Sequence, residues 1–301
     1  MTDTFREIAS GLGFPEGPVA MPDGSLLVVE IKRGTLSRVT LDGVITVVAE
    51  LGGGPNGAAI GPDGAAYVCN NGGFQWSERN GMPIPLNIET GASEPDGFEG
   101  GWIERVDLAS GQVRRLYSDC NGYRFRSPND IVFDASGGFW FTDLGKTRTR
   151  DVDRGGLYYA RPDGSSVVEA AYGLWGPNGV GLSPSGDHVY VAESFTGRLM
   201  AWDLAGPGKL RDRRATCVAA TKGHFDSLAV EADGRVAVAA ISQGVCVVEP
   251  NGSFDYVPFP DPMTTNVCFG GEDRRTAYVT LSATGRLVAQ EWPRPGLALA
   301  F

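Results

Sequence analysis

The chain has 301 residues, a formal net charge of −10 and only two histidines. This acidic balance, without a basic run, argues against a nucleic-acid-binding surface and against a polybasic membrane patch. The sequence has no apolar stretch of about 20 residues and no basic-then-apolar leader at its start. We therefore expect a cytoplasmic protein that has neither nucleic acid nor a membrane as its partner.

A faint internal repeat runs along the chain. Each copy has a polar residue, a short apolar run, a turn and a second apolar run. The six copies are FPEGPVAMPDGSLLVVE, GPNGAAIGPDGAAYVCN, SPNDIVFDASGGFWFTD, GPNGVGLSPSGDHVYVAE, HFDSLAVEADGRVAVAA and TTNVCFGGEDRRTAYVT. Each copy is followed by another strand-like stretch, such as GTLSRVTL or GRLMAWDL. Repeated short strands without helical periodicity predict an all-β protein.

The spacing of the copies predicts six propeller blades. Four of the five intervals are between 40 and 49 residues long, close to the roughly 40–50 residues of a four-stranded blade. The second interval is longer because of an insertion at about residues 74–101. About three strands follow the last copy, so we expect the N-terminal stretch FREIAS to complete the last blade. We predict one domain, residues 1–301, folded as a six-bladed β-propeller, with a β-sandwich as the alternative.

One column of the aligned repeat carries a side-chain oxygen in every copy. Its members are Glu16, Asn56, Asn129, Asn178, Asp226 and Asn266. The first strand of each blade lines the central channel of a propeller, so we expect these side chains to converge at one end of it. A lone Asn or Asp often serves only to form a turn. Agreement among all six copies, and the presence of a glutamate in FPEGP, favour a shared site.

The converging side chains predict a metal site. Two carboxylates, Glu16 and Asp226, with amide oxygens and no thiolate or imidazole, suit a hard dication such as calcium, magnesium or manganese. Such an ion polarises a carbonyl group and lowers the pKa of a bound water, so we hypothesise metal-assisted hydrolysis of a small ester. His224 lies two residues before Asp226 and is a candidate at the channel mouth, although many loop histidines have no chemical role.

Four motifs resemble the family of gluconolactonase, regucalcin (senescence marker protein) and luciferin-regenerating enzyme, over nearly the whole chain. They are FPEGP, SPNDIVFDASGGFWFTD, GPNGVGLSPSG and FDSLAVEADG. The sequence is similar, more distantly, to squid-type diisopropylfluorophosphatase and the paraoxonases. The resemblance implies a propeller lactonase with one divalent cation on Glu16, Asn129, Asn178 and Asp226. It also implies that Asp226 acts as general base or orients the attacking water.

For the cation, the resemblance gives calcium first, with magnesium, manganese, iron(II) or zinc as alternatives. It implies a small-molecule lactone as the substrate, in the first place a sugar lactone. We expect a monomer or weak homo-oligomer. Regucalcin-like sugar lactonases carry an arginine where this chain has Ser127, with Arg124 and Arg126 nearby, so a preference for aldonolactones stays open. A non-catalytic calcium-binding propeller, or the same site acting on another ester or a phosphotriester, is the alternative function.

We expect substrate contacts from the channel and from the insertion. The candidate residues are Asn56, Asn129, Trp76, Arg126 and His224. The insertion is too polar and too rich in glycine and proline to form core, so it is either a lid beside the site or a surface excursion. As a lid, it would offer Phe74, Trp76 and Phe98 for stacking on a lactone.

Four further polar residues have simpler interpretations. Glu30, Asn70 and Asp143 each lie fourteen residues after a member of the column, where they are expected to pack as polar residues of the second strand. Asp130 either caps a turn beside Pro128 or binds a second, structural ion.

Overall fold

The computed structural model describes residues 5–218 and 224–301, and the regular structure within these residues consists of β-strands. Six four-stranded antiparallel sheets form the blades, and two short hairpins accompany them. In the described part of the chain no helix is long and apolar enough to cross a membrane. The predicted six-bladed β-propeller is confirmed.

The strands follow the blades in chain order. An outer strand of the last blade comes first: β1 (Phe5–Ala9). Blade 1 contains β2 (Pro15–Ala20), β3 (Leu26–Glu30), β4 (Thr35–Val39) and β5 (Ile45–Glu50). Blade 2 contains β6 (Pro55–Ile60), β7 (Ala66–Asn70), then after the hairpin β8 (Ser77–Arg79) and β9 (Met82–Ile84), β10 (Trp102–Val106) and β11 (Val113–Tyr117).

A second hairpin precedes blade 3: β12 (Asp119–Cys120) and β13 (Tyr123–Arg124). Blade 3 contains β14 (Pro128–Phe133), β15 (Phe139–Asp143), β16 (Gly155–Ala160) and β17 (Val167–Leu174). Blade 4 contains β18 (Pro177–Leu182), β19 (His188–Glu193), β20 (Arg198–Gly206) and β21 (Lys209–Val218). Blade 5 contains β22 (Phe225–Val230), β23 (Val236–Ala240), β24 (Gly244–Val248) and β25 (Phe254–Val257). Blade 6 contains β26 (Thr264–Gly270), β27 (Thr276–Leu281) and β28 (Arg286–Glu291).

The N-terminal strand closes the ring of blades. β1 pairs antiparallel with β28, with Phe5 opposite Gln290 and Glu7 opposite Val288. The first strands of the blades (β2, β6, β14, β18, β22 and β26) contact one another in a closed circle around the channel. The expectation that the N-terminal stretch completes the last blade is confirmed.

The apolar core is divided into six clusters, and each cluster lies between two neighbouring blades. Both faces of every sheet are covered, which is why second strands such as β3 and β7 are buried at every position. The cluster between blades 2 and 3 is rich in aromatic rings, with Tyr67 in edge contact with Phe133 at a centroid distance of 5.0 Å. This packing fixes the angle between blades, and with it the position of each inner strand.

Beyond β28, the C-terminal segment crosses the end of the ring opposite the oxygen-bearing column. Trp292 donates from its indole nitrogen to the buried carboxylate of Glu231 at 2.8 Å, and Leu297 donates its amide to the carbonyl oxygen of Val230 at 2.9 Å. Phe301 lies edge-on to Phe133 with the ring centroids 6.0 Å apart. The described tail therefore runs past the far ends of β22 and β14.

Candidate metal and active site

Each member of the oxygen-bearing column lies at the start of an inner strand, where the pairing with the second strand is irregular. The register shifts at or beside Glu16, Asn56, Asn129, Asn178, Asp226 and Asn266. A bulge at such a place turns a side chain away from the regular pleat. The inner strands also approach closely: a Cβ on Gly57 would lie 2.4 Å from the carbonyl oxygen of Asn129. The six side chains are thus gathered at one end of the channel.

Glu16 is 2% exposed and is held by two donors. Its Oε2 accepts hydrogen bonds from the backbone N–H of Gly17 and from the amide Nδ2 of Asn266, both at 2.7 Å. Burial, followed by the negative charge of Asp226, raises the pKa of Glu16 well above its ordinary value. A carboxylate from blade 5 therefore lies close enough to that of blade 1 to disfavour its charge.

Asp226 is the one member of the column that keeps partly exposed surface. Its pKa is raised to about 7, mainly by desolvation and also by the charge of Asp130, while a hydrogen bond with the Asn178 side chain acts in the opposite direction. An accessible carboxyl group whose pKa lies near neutrality can accept a proton from water at physiological pH.

Asn178 links blades 4 and 5. Its Nδ2 donates to Oγ of Ser194 at 3.2 Å, and its Oδ1 accepts a long hydrogen bond from Ser227 at 3.4 Å. The Ser194 hydroxyl donates in turn to the carbonyl oxygen of Phe225 at 2.6 Å. The exposed His224 has its Nδ1 2.8 Å from the carbonyl oxygen of Ser194. This ring nitrogen is therefore engaged with the backbone beside the site.

Asn129 carries the clearest sign of a missing partner. Its side chain is 3% exposed, and its Oδ1 has no hydrogen-bond partner within the described chain. Buried amide oxygens are almost always paired, because an unpaired one loses its interaction with water without replacement. A buried amide oxygen without a partner, in a column that also holds two carboxylates, is suited to a cation.

Asn56 and Asn266 are held in fixed orientations. Oδ1 of Asn56 accepts a hydrogen bond from Nδ2 of Asn71 at 3.0 Å, and Oδ1 of Asn266 accepts one from the N–H of Val267 at 2.7 Å. Each of these oxygens, like that of Asn178, therefore has a hydrogen-bond partner, in contrast to that of Asn129.

The donor set fits a hard cation. Glu16, Asp226, Asn129 and Asn178 offer oxygen alone, and the two carboxylates disfavour each other's charge. No group of three or more His, Cys, Asp or Glu side chains arranged for a metal occurs among the described residues, so the proposed donor set includes amide oxygens besides its two carboxylates. That these four residues bind an ion stays a prediction.

The second-strand residues fix the loops that lead into the inner strands. Glu30 accepts a hydrogen bond from the N–H of Gly13 at 2.6 Å, and Asn70 accepts one from Gly54 at 2.8 Å. Asp143 accepts one from Ser127 at 2.6 Å. Each bonded N–H lies two or three residues before a column residue. These polar side chains therefore position the column rather than face the channel themselves.

Asp130 ties three blades together below the column. Its Oδ1 accepts a hydrogen bond from the N–H of Ile131 at 2.9 Å, its Oδ2 accepts one from Val180 at 3.1 Å, and the N–H of Leu228 also donates to this carboxylate. Burial raises its pKa to about 7. These contacts join Asp130 to the backbone of blades 3, 4 and 5, and a structural ion at Asp130 stays a prediction.

The insertion lies at the same end of the ring as the column and is anchored on both sides. Toward blade 1, Trp76 packs edge-on against Phe14 with the ring centroids 5.1 Å apart. Toward blade 3, the buried Lys146 donates to the carbonyl oxygen of Gly73 at 2.6 Å, and its ammonium lies 3.9 Å from the ring centroid of Phe74. The contact with Phe14, two residues before Glu16, brings Trp76 beside the site.

Two arginines near the column already bind residues of the insertion. The guanidinium of Arg126 pairs with Glu94 at 2.5 Å and Asp153 at 3.0 Å and lies over the ring of Phe98. Arg124 donates to the carbonyl oxygen of Glu99 at 2.8 Å. Neither side chain replaces an arginine at position 127, where the buried Ser127 hydroxyl has no partner among the described residues.

Sequence reasoning missed Ser194, Ser282 and Asn71, which follow the second strands of blades 4, 6 and 2. Their polarity could have indicated this role, because the residues at the same position in the other three blades are apolar: Leu144, Ile31 and Ile241. Polar residues at an otherwise apolar position of the repeat mark contacts to the column.

Comparison with known proteins agrees with the motifs. The family profile described as "SMP-30/Gluconolactonase/LRE-like region" matches residues 14–283. A gluconolactonase from Zymomonas mobilis is 26% identical over 91% of this chain and 78% of its own length. Lactonase drp35 of Staphylococcus haemolyticus is 28% identical over 77% of this chain and 65% of its own length.

Solved structures share the fold. A gluconolactonase from Xanthomonas campestris superimposes with a TM-score of 0.76 at 22% identity, covering 96% of this chain and 89% of its own. The calcium-binding protein regucalcin from Agrobacterium tumefaciens gives a TM-score of 0.71 at 20% identity, covering 96% and 95% of the two chains. At this identity the likeness supports the propeller fold.

Proposed function

The chain belongs to the SMP-30/Gluconolactonase/LRE-like family, and we propose that it is a divalent-metal-dependent hydrolase that opens a small lactone, in the first place a sugar lactone. The relatives named gluconolactonase and lactonase support the reaction class. Calcium is the proposed ion, with magnesium, manganese, iron(II) and zinc as the alternatives to test.

One observation carries the proposal. Glu16 and Asp226 come from two blades that are not neighbours, yet the charge of Asp226 raises the pKa of Glu16, and the buried Oδ1 of Asn129 in the same column lacks a partner. A dication bound by these oxygens would remove the repulsion and satisfy the amide oxygen together. When bound, such an ion also supplies a Lewis acid that polarises a lactone carbonyl group.

The chain's own residues account for the proton transfer. Asp226 is partly exposed, and its carboxylate would lie beside the bound ion, so it is placed to accept a proton from the attacking water. The water oxygen adds to the carbonyl carbon, and the ring C–O bond breaks. The proton held by Asp226 then passes to the leaving oxygen, and the product is a hydroxy acid. Asn178, bonded to the Asp226 side chain, keeps this carboxylate oriented.

Substrate contacts are proposed for the channel and its rim. Asn129 is the column residue with a free oxygen, and Trp76 offers an aromatic surface beside Phe14. Asn56 and His224 lie at the same end of the ring but already have hydrogen-bond partners. For Arg126, substrate binding would require release of the guanidinium from Glu94 or Asp153.

The test is hydrolysis of a panel of lactones by the purified protein. The panel contains gluconolactone, xylonolactone, a γ-butyrolactone and dihydrocoumarin, and acid release is followed with a pH indicator. The protein is assayed after chelator treatment and after each candidate ion is added back. We expect turnover that is lost with chelator and restored by one ion, and a higher kcat/KM for the sugar lactones.

Other outcomes assign other functions. Turnover that chelator leaves unchanged would reject the metal centre. Preference for dihydrocoumarin would reject the sugar-lactone class and agree with the absence of an arginine at position 127. Tight ion binding without turnover of any lactone, ester or phosphotriester would favour the non-catalytic calcium-binding propeller.

A further inference from the structure

The two carboxylates of the site stand on inner strands whose ladders are interrupted beside them. In blade 1 the pairing of β2 shifts between Glu16 and Val19, and in blade 5 that of β22 shifts between Phe225 and Leu228. Glu16 keeps its partner Val29, but the ladder is interrupted directly after Glu16 and at Asp226. The contacts made by the residues directly before these two carboxylates therefore help to set where the side chains lie.

A serine from the preceding blade makes the same contact with each of these strands. Ser194, which follows β19 in blade 4, donates from Oγ to the carbonyl oxygen of Phe225 at 2.6 Å. Ser282, which follows β27 in blade 6, donates from Oγ to the carbonyl oxygen of Pro15 at 2.5 Å. Phe225 and Pro15 are the residues directly before Asp226 and Glu16. Both serines are buried.

The position directly after the second strand carries a hydroxyl group in only two of the six blades. The residues that follow the second strands are Ile31, Asn71, Leu144, Ser194, Ile241 and Ser282, all of which are described. Asn71 bonds to Asn56 within its own blade. The two serines occur in blades 4 and 6, and these are the blades whose next inner strand carries a carboxylate in the column. The pairing of hydroxyl and carboxylate is thus specific to the proposed ligands.

We propose that Ser194 and Ser282 are positioning residues that hold the strands of Asp226 and Glu16 in the geometry that binds the cation; this inference rests on the proposed metal centre. Ser194 has a double role, because Nδ2 of Asn178 donates to the same hydroxyl. It therefore fixes two of the four proposed ligands. Ser282 fixes Glu16 and is itself close to the hydroxyl of Thr265.

The test measures ion affinity rather than turnover. Chelator-treated wild type, Ser194→Ala and Ser282→Ala are titrated with calcium by calorimetry, followed by the other candidate ions if wild type prefers one of them. Loss of a group that supports a metal ligand typically weakens binding by about 10- to 100-fold, and we expect a Kd increase of this size. The increase should be larger for Ser194→Ala. Ser194→Cys, which keeps a weak donor of similar shape, should give an intermediate Kd.

Ser183→Ala is the matched control. Ser183 is buried in the same blade, but it bonds to Asp187 in the turn at the far end of β18. Its variant should keep the wild-type Kd even if it loses some stability. Equal Kd values for Ser194→Ala, Ser282→Ala and Ser183→Ala would overturn the proposed role of the serines. If an alanine variant does not fold, the Kd of the cysteine variant decides in the same way.

The two proposals fail differently. A wild-type protein that binds an ion but opens no lactone would reject the lactonase proposal, while weakened binding in Ser194→Ala would still support the positioning role. A wild-type protein that binds none of the five ions would overturn both.

Discussion

The charge of Asp226 raises the pKa of Glu16, although the two carboxylates come from blades 5 and 1, which are not neighbours. Ring closure by β1 and β28 brings them to the same channel end. Because the two carboxylates lie close together, replacing either one should change the stability that a bound ion adds, and this can be measured with and without the ion.

Glu16→Gln and Asp226→Asn should abolish stabilisation by the ion without destabilising the metal-free protein. Each change replaces a carboxyl group whose ionised form is disfavoured in the metal-free site by a neutral amide of similar shape, so the metal-free variant should be at least as stable as wild type. An ion at 100 times its Kd adds about 2.7 kcal/mol to the stability of the wild-type protein. Thermal midpoints with chelator and with added ion measure both effects.

Glu231→Gln is the control for this experiment. The buried Glu231 carboxylate accepts hydrogen bonds from Trp292 and Arg294 at the opposite end of the ring from the site. Its variant should be less stable with and without the ion, by about 1–3 kcal/mol for a disrupted buried bond, and should keep the full increment from the ion. A Glu16→Gln protein that also keeps the increment would contradict the ligand assignment.

Without metal, stability should fall as the pH rises from about 4 to 7. The pKa values of Asp130 and Asp226 are raised from 3.8 to about 7, so the folded protein holds protons that the unfolded chain releases in this range. The stability from these two groups is complete below pH 3.8 and is lost as the pH rises through about 7. Urea unfolding at several pH values with chelator present measures the slope.

Asp130→Asn shows how much Asp130 contributes to the change of stability with pH. The difference in stability between wild type and the variant should change with pH by a few kcal/mol, since one pKa unit corresponds to about 1.4 kcal/mol. Burial lowers the pKa of Lys146 to about 7 and adds a slope of opposite sign, but above pH 7 rather than below it. A difference that is constant between pH 4 and 7 would mean that the Asp130 carboxyl group titrates normally.

Lys146→Met should loosen the insertion. The change removes the hydrogen bond to Gly73 and the contacts of the ammonium with Phe74 and Phe98. We expect a loss of about 1–3 kcal/mol and faster amide hydrogen exchange in residues 71–101. Lys32→Met is the control, because Lys32 is exposed and its ammonium lies 5.7 Å from the Trp76 ring centroid. Equal exchange rates in the two variants would refute this anchoring role.

Trp76→Ala should raise KM more than it lowers kcat. Trp76 packs against Phe14 beside the column but supplies no ligand, so its loss should weaken substrate binding and leave the ion in place. Steady-state kinetics together with the ion Kd separate these effects. An unchanged KM would place the insertion outside the substrate site and favour a surface excursion.

Much of the fold follows from the repeat. Turn residues and apolar runs at regular spacing predicted six blades, and the short last copy predicted closure by the N-terminal strand. The column of the site was predictable for the same reason: equivalent positions of a ring face one another. The arginines show the limit, because proximity of Arg126 to Asn129 in the chain does not reveal that its guanidinium pairs with Glu94 and Asp153.

The sequence by itself determined the blade number and the six residues that meet at the channel, because both depend on a periodicity that is written in the chain. Only the tertiary structure decided which of these residues have free oxygens and which are already bonded. Asn129 lacks a partner while Asn56 has one, and this difference depends on Leu144 and Asn71 at equivalent places of neighbouring blades. Contacts between blades, such as Ser282 with Pro15, join residues far apart in sequence, so their geometry is set by how the sheets pack.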